Sequence, residues 1–308
     1  MKPSRAPRIV VIGSSNTDLV VRCSRLPAAG ETIAGGTFTQ HAGGKGANQA
    51  VAAARAGAKV CFVGACGDDP YGKAARAALR AEKIDVRSFT TVDSMPSGVA
   101  LIFVSEKTGE NSIAVARSAN DKVSAAQVEG VSATIARSDL VLAQLEVPLE
   151  AVQAAASVAA RFGVPFLLNP APAQKLPRIL LRQVHTLTPN ETEAELLTGL
   201  ADYKPAAREL LRRGCRNVVV TLGAKGAWVC GEDGEALVRA PRVRAVDSVG
   251  AGDCFTAWLA VGLAEGLPLF KSAARATEAA AIAVTRAGAQ SGMPRIGEVP
   301  SRPRARVK

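Results

Sequence analysis

The chain has 308 residues, 48% of them hydrophobic and 21% charged, a balance that allows one large domain with a buried core and an appendage. Only 4% are aromatic, so the core is expected to be aliphatic helices on a sheet, and a stacking platform for single-stranded nucleic acid is excluded. The net charge of +11 sits largely at the ends: Lys2, Arg5, Arg8, Arg302, Arg304, Arg306 and Lys308 leave only +4 on the body, which suits anionic ligands such as nucleotides without pointing to nucleic acid.

Residues 8–13 (RIVVIG) are a continuous β-branched run, as in a strand buried on both faces. Residues 19–23 and 31–40 alternate apolar and polar around the turn Pro27-Ala28-Ala29-Gly30, which predicts a half-exposed hairpin. An alanine-rich helix over 46–56 is ended by Gly57 and followed by a strand over 59–64 and a helix over 71–82. A second ribbon runs over 98–105 and returns over 111–116; with the first it predicts a small separate sheet, a lid formed by about 17–41 and 97–117. Strands then follow at 140–144, 165–168, 184–188 and 217–222, alternating with helices at 149–162, 191–199 and 204–214, and helices over 251–265 and 269–286 close the chain. Such alternation predicts the α/β class, with a mostly parallel central sheet flanked by helices. A single domain over 8–294 is expected, with 1–7 and 295–308 as solvated, frayed basic tails.

The six cysteines are scattered through apolar surroundings with no C-x-x-C pair, and read as reduced thiols. No run approaches the roughly 20 apolar residues of a membrane span, and no apolar signal-peptide core follows the basic start, so a cytoplasmic location is expected. His41 and His185, the only histidines, lie outside any metal spacing, which leaves a zinc site or a Ser-His-Asp triad without support. The segment VIGSSN lacks the second and third glycines of a dinucleotide fingerprint.

The strongest chemical signal is AVDSVGAGDCF, residues 245–255, where a glycine-rich turn leads into a helix carrying Asp253 in its first turn. Free amides at a helix start bind anions, and Gly250, Ala251 and Gly252 let a phosphate approach the backbone. A carboxylate beside such an anion hole repels phosphate, but it can accept the proton of an attacking hydroxyl. Asp253 could equally be a plain helix cap, and its own surroundings do not separate the two readings.

The segments GGKGANQAVAA (43–53), TPNETE (188–193) and VDSVGAGDCF (246–255), taken in this order and spacing, resemble the ribokinase-like family of carbohydrate and nucleoside kinases, and the similarity runs from about residue 8 to 294. The resemblance implies a large α/β domain with a β-sheet lid, two lids clasping in a homodimer, and ATP-dependent phosphorylation of a sugar hydroxyl. The sugar it implies is a pentose, D-ribose taken at its 5-hydroxyl to ribose 5-phosphate, with no nucleic-acid or membrane partner. It makes Asp253 the general base and the amides of Gly250, Ala251 and Gly252 the anion hole. Sugar ligands would be Asn16, Asp18, Gly44, Lys45, Gly46, Ala47, Asn48, Glu146 and Asp253 itself. A capped helix after a flexible loop explains the glycines of this set, but not the Asn-x-Asp triplet; Glu146 alone could be a solvated carboxylate. ATP would lie across Thr221, Leu222, Gly223, Ala224, Lys225 and Gly226, with Asn190 and Thr277 also contributing and Gly252 and Asp253 beside the transferred phosphoryl group.

Glu193 would meet Mg2+ through water, since magnesium keeps much of its hydration, although a glutamate in a first helical turn is also favoured by the dipole. A potassium site is implied at Asp247, Val249, Ala283, Arg286, Gly288 and Gly292. This chain departs from the family pattern at Gly292, where a serine is common and Ser291 is adjacent. It departs again at Thr277, where asparagine or histidine is common, and at Cys254, where threonine is. Kinases of fructose or adenosine, and a non-catalytic sugar-responsive regulator, are the competing functions; intact Asp253 and glycines argue against the last.

Overall fold

A computed structural model describes residues 5–300. The chain begins β1 (Arg8–Ile12), β2 (Asn16–Cys23), β3 (Thr37–Gly43), α1 (Lys45–Arg55), β4 (Lys59–Gly67), α2 (Pro70–Ala81), β5 (Phe89–Val92), β6 (Gly98–Ser105) and β7 (Asn111–Ala116). Two short helices, α3 (Ala125–Gly130) and α4 (Ser132–Ile135), lead to β8 (Leu140–Ala143), α5 (Leu149–Arg161), β9 (Phe166–Leu168), α6 (Arg178–Leu181) and β10 (Thr186–Leu187). Then come α7 (Glu191–Thr198), α8 (Tyr203–Arg212), β11 (Asn217–Thr221), β12 (Gly226–Gly231) and β13 (Gly234–Arg239), and finally α9 (Ala251–Ala264), α10 (Leu269–Ala283) and α11 (Ala289–Gly292).

Nine strands form one sheet in the order β13-β12-β11-β10-β9-β8-β1-β4-β5, parallel from β11 to β5 and antiparallel at the β12–β13 edge. Its alternating side chains feed two apolar layers. Ile9 and Val11 join the layer under α1, α9 and α10, whereas Val10 and Ile12 join the one under α5, α7 and α8. The chain steps outward from β1 in both directions, to β4 and β5 on one side and to β8 onward on the other. In open α/β sheets, a reversal of this kind leaves a crevice at the carboxyl ends of the strands, here between β1 and β8.

The small sheet has the order β3-β2-β6-β7, with β2 and β6 parallel and the outer pairs antiparallel. β6 and β7 have the predicted bounds, but the first ribbon does not. Residues 31–36 are loop, and pairing resumes at Thr37 and continues to Gly43. Gly35 and Gly36 both adopt positive φ, a conformation no strand uses, and an Arg25–Glu31 ion pair holds the loop instead. The β12–β13 hairpin, β5 and the short α3 and α4 were absent from the sequence reading; the hairpin extends the sheet beyond its parallel part.

Of the segments expected to be frayed tails, the structure describes residues 5–7 and 295–300. Arg5 forms a bidentate pair with Asp139, Arg295 reaches Glu82 at 3.3 Å, and Arg286 reaches Glu298. Arg5 and Arg295 thus find carboxylates on the body, and Glu298 finds a body arginine. Residues 1–4 and 301–308 lie outside the described residues.

Candidate active site

The crevice collects four loops. β1 ends into Ser14 and Ser15 and so delivers Asn16 and Asp18 at the start of β2. Beside them are the start of α1, the turn after β8 that carries Glu146, and the first turn of α9 with Asp253. Lys45 is mostly buried at their centre, and four carboxylates act on it electrostatically. The Asp253 charge raises the Lys45 pKa most, burial opposes it, and Glu146, Glu193 and Asp18 add to the rise. The ammonium therefore stays charged among groups that, ionised together, leave the site negative.

Asp253 is 7% exposed. Burial raises its pKa, opposed by Lys45 and by amide hydrogen bonds. Asn48 Nδ2 donates to Asp253 Oδ2 at 3.0 Å, and Gln49 Nε2 donates to Oδ1 at 2.9 Å. These bonds run to the side chain of the helix residue rather than from it to the helix amides, so Asp253 does not cap α9. The N-cap is Gly250, at φ +74, with no side-chain cap. A Cβ there would sit 2.9 Å from that of Ala289, so both the left-handed backbone and the space demand glycine. The amide of Ala251 donates to the Ser248 carbonyl at 3.2 Å, so one of the three amides read as an anion hole is already engaged in the turn. A Cβ at Gly252 would meet nothing within 4 Å, so the space beside this residue is open.

Asn16, 6% exposed, accepts a hydrogen bond from Asn120 Nδ2 at 2.8 Å. Asn120 also accepts from the Ser15 amide at 2.9 Å and thereby fixes the β1–β2 turn. No sequence motif marked Asn120. Asp18 occupies the space over Gly43, where a Cβ would be 2.2 Å from its carboxylate. Burial and the charges of Glu146 and Asp253 push the Asp18 pKa up to about 6.

Glu146 accepts from Ser14 Oγ and, at 2.9 Å, from the Lys45 amide at the start of α1. It is thus a tethered carboxylate rather than a solvated one. Gly44 caps α1 at φ +86, Gly46 N reaches Ser14 Oγ at 3.3 Å, and Ala47 N reaches the Ser14 carbonyl at 2.8 Å.

On the other side of Asp253 lies a cavity of about 630 Å³. Thr221, Gly223, Ala224, Gly226, Gly252 and Thr277 line it; Leu222, Lys225 and Asn190 do not. Leu222 points into the core, and Lys225 turns outward to Glu191 at 3.6 Å. Thr277 Oγ1 donates to the Ala273 carbonyl at 2.8 Å, so its hydroxyl proton is committed within α10. Pro241, Val243 and Ser248 form the opposite wall, which no sequence motif marked because it follows the β12–β13 hairpin. A further cavity of about 800 Å³, lined by Arg8, Lys59 and Arg137 among others, lies at the amino ends of β1 and β4, away from Asp253.

Asn190 and Glu193 form a reciprocal capping box on α7: Asn190 Oδ1 accepts from the Glu193 amide at 2.7 Å, and Glu193 Oε2 accepts from the Asn190 amide at 2.8 Å. Among the described residues no group of three or more His, Cys, Asp or Glu side chains could hold a metal. Asp247, Val249, Ala283, Arg286, Gly288 and Gly292 do meet in one corner. Asp247 accepts from the Val249 and Gly288 amides at 3.0 and 2.9 Å, and a Cβ on Gly292 would lie 3.1 Å from the Ala283 carbonyl and 3.5 Å from that of Arg286. Ser291 does not replace the missing hydroxyl, because its Oγ donates to the Ala287 carbonyl at 2.7 Å. Cys254 is fully buried, and burial raises its thiol pKa far out of the nucleophilic range.

Residues 6–296 match the pfkB family carbohydrate kinase. The chain belongs to this family. A ribokinase of Haemophilus influenzae is 42% identical over 291 residues, covering 93% of this chain and 95% of the relative. A deoxyribokinase of Salmonella typhi is 37% identical, covering 94% and 96%. The structure of an Arabidopsis thaliana ribokinase complexed with ribose and ATP superposes with a TM-score of 0.87 at 32% identity, covering 95% of this chain and 97% of that one. A pfkB-family assignment accounts for the side-by-side crevice and cavity with one carboxylate between them.

Proposed function

We propose that the chain phosphorylates D-ribose at its 5-hydroxyl with ATP, giving ribose 5-phosphate and ADP. The observation that carries this reading is the position of Asp253, buried at the junction of a crevice lined by Asn16, Asp18, Lys45, Asn48 and Glu146 and a cavity bounded by Gly252. The sugar hydroxyl gives its proton to Asp253 as its oxygen attacks the γ-phosphate, while amides at the start of α9 face the transferring phosphoryl group. The Arabidopsis ribokinase bound to ribose and ATP and the ribokinase of Haemophilus influenzae support ribose; the Salmonella typhi deoxyribokinase makes 2-deoxyribose the second reading.

Magnesium fits as an ion carried by the nucleotide phosphates and their waters, with the unengaged oxygen of Glu193 on the α7 side, because the described residues offer no cage of their own. It would neutralise phosphate charge. Potassium fits the corner of carbonyls around Asp247, where Gly292 leaves a cradle that a side chain would fill. It would hold the turn before α9 in place. Phe38, Leu101 and Phe103 are 62%, 47% and 37% exposed on one face of the small sheet, which supports a homodimer through paired lids. Six cysteines without a disulfide agree with a reducing compartment, the cytoplasm.

A panel of ribose, 2-deoxyribose, fructose and adenosine, assayed with ATP and magnesium with and without potassium, tests the reading. Ribose is expected to have the highest kcat/KM. Turnover of ribose no better than that of fructose or adenosine overturns the substrate assignment.

A further inference from the structure

Gln49 follows the sugar-binding loop, and neither the sequence reading nor the crevice geometry gives it a ligand. It is fully buried. Its nitrogen donates to Asp253 Oδ1 at 2.9 Å and to Asn169 Oδ1 at 3.0 Å, and its oxygen accepts from Gln144 Nε2 at 2.6 Å. The direction of these bonds is forced from both ends. Asn169 Nδ2 donates to the Thr188 carbonyl at 2.9 Å, which can only accept, so Asn169 must turn its oxygen toward Gln49. An ionised Asp253 also only accepts, so Gln49 must present its nitrogen there too. With both hydrogens committed, Gln49 has only its oxygen left for Gln144. Gln144 Oε1 is then buried without a partner. An orphaned buried oxygen is rare in folded proteins, and here it accompanies the one orientation of Gln144 that fixes Gln49.

We propose that Gln49 is a positioning residue for phosphoryl transfer, holding Asp253 ionised and aimed at the sugar hydroxyl through the buried relay of Gln144, Gln49, Asn169 and the Thr188 carbonyl. The inference rests on Asp253 as the base. Burial disfavours the charged carboxylate, and the neighbouring Glu146, Asp18 and Glu193 carry the same sign; Lys45, Asn48 and Gln49 oppose them. Asn48 belongs to the sugar loop and is 6% exposed, with its oxygen taken by Gln290 Nε2 at 3.1 Å. Gln49 is fully buried, and all its polar contacts are to buried side chains.

Gln49→Met keeps the length of the side chain and removes the amide. Removing a donor to the charged form raises the carboxylate pKa, so the acid limb of the kcat–pH profile is expected to move up by about one pH unit, with activity partly regained on the alkaline side and the KM for ATP within twofold. A uniform drop in kcat at every pH, or a lowered Tm with the limb unmoved, overturns the proposal. Asp253→Asn in the same assay separates the two claims. If it stays active, the base assignment has failed and the relay with it; if it is dead while the limb of Gln49→Met stays put, the relay alone has failed. Should Gln49→Met not fold, Gln144→Met makes the same test, with a smaller shift of the same sign expected and no shift overturning the relay.

Discussion

The crevice between β1 and β8 and the cavity between α10 and the β12–β13 hairpin meet at Asp253, yet they are built from opposite materials. The crevice is lined by charged and amide side chains that bond to one another, so that Asn120 holds Asn16, Ser14 holds Glu146 and Gln49 holds Asp253. The cavity offers mainly glycines, alanines, Val243 and Phe255, with Arg242 its one charged side chain among the described residues and the hydroxyl of Thr277 turned into its own helix. A pentose presents hydroxyls at fixed angles, and a site must meet them with oriented donors and acceptors to reject an analogue. A nucleotide can instead be held by apolar contact with its base and by backbone amides at its phosphates. Substitutions should therefore be far more damaging on the sugar side.

The largest effect is expected at the junction. Asp253→Asn should lower kcat by about 10²–10⁴-fold while calorimetric sugar affinity stays within a few-fold of wild type, and more than about a tenth of wild-type turnover would break the contrast by showing that no base is needed. A middle effect is expected from Asp18, whose carboxyl titrates at about 6. Its pKa is raised, so it is protonated below that pH and then no longer accepts from two hydroxyls at once. The KM for ribose should rise as pH falls through 6 while the KM for ATP does not, and Asp18→Asn should flatten that rise. The smallest effect belongs to the cavity rim. Lys225 is 70% exposed and paired with Glu191, so Lys225→Ala should change the KM for ATP by less than about twofold; a tenfold loss would show that this lysine swings onto phosphate.

Legibility followed the range of the interaction. The β1 run, the 98–105 and 111–116 ribbon and the α9 turn were readable because period, turn residues and glycine spacing act within a few neighbours. The first ribbon was misplaced because its alternating pattern continued through 31–36, where two glycines at positive φ interrupt the strand. For Asn190 and Glu193 the segment TPNETE suggested a place at the nucleotide and at magnesium but not their bonds to each other, since a capping box and a ligand pair look alike in one dimension.

Asp253 shows the division most clearly. The sequence by itself determined an aspartate in the first turn of a helix after a glycine turn, and the ordered motifs around it, because those are local properties of the chain. Cap or base was undecided at that level. Only the tertiary structure placed Asn48 and Gln49, some 200 residues earlier, on its two oxygens and Lys45 beside it. Burial removes the water that would otherwise solvate a carboxylate, so the state of this one is decided by partners that only folding brings within reach.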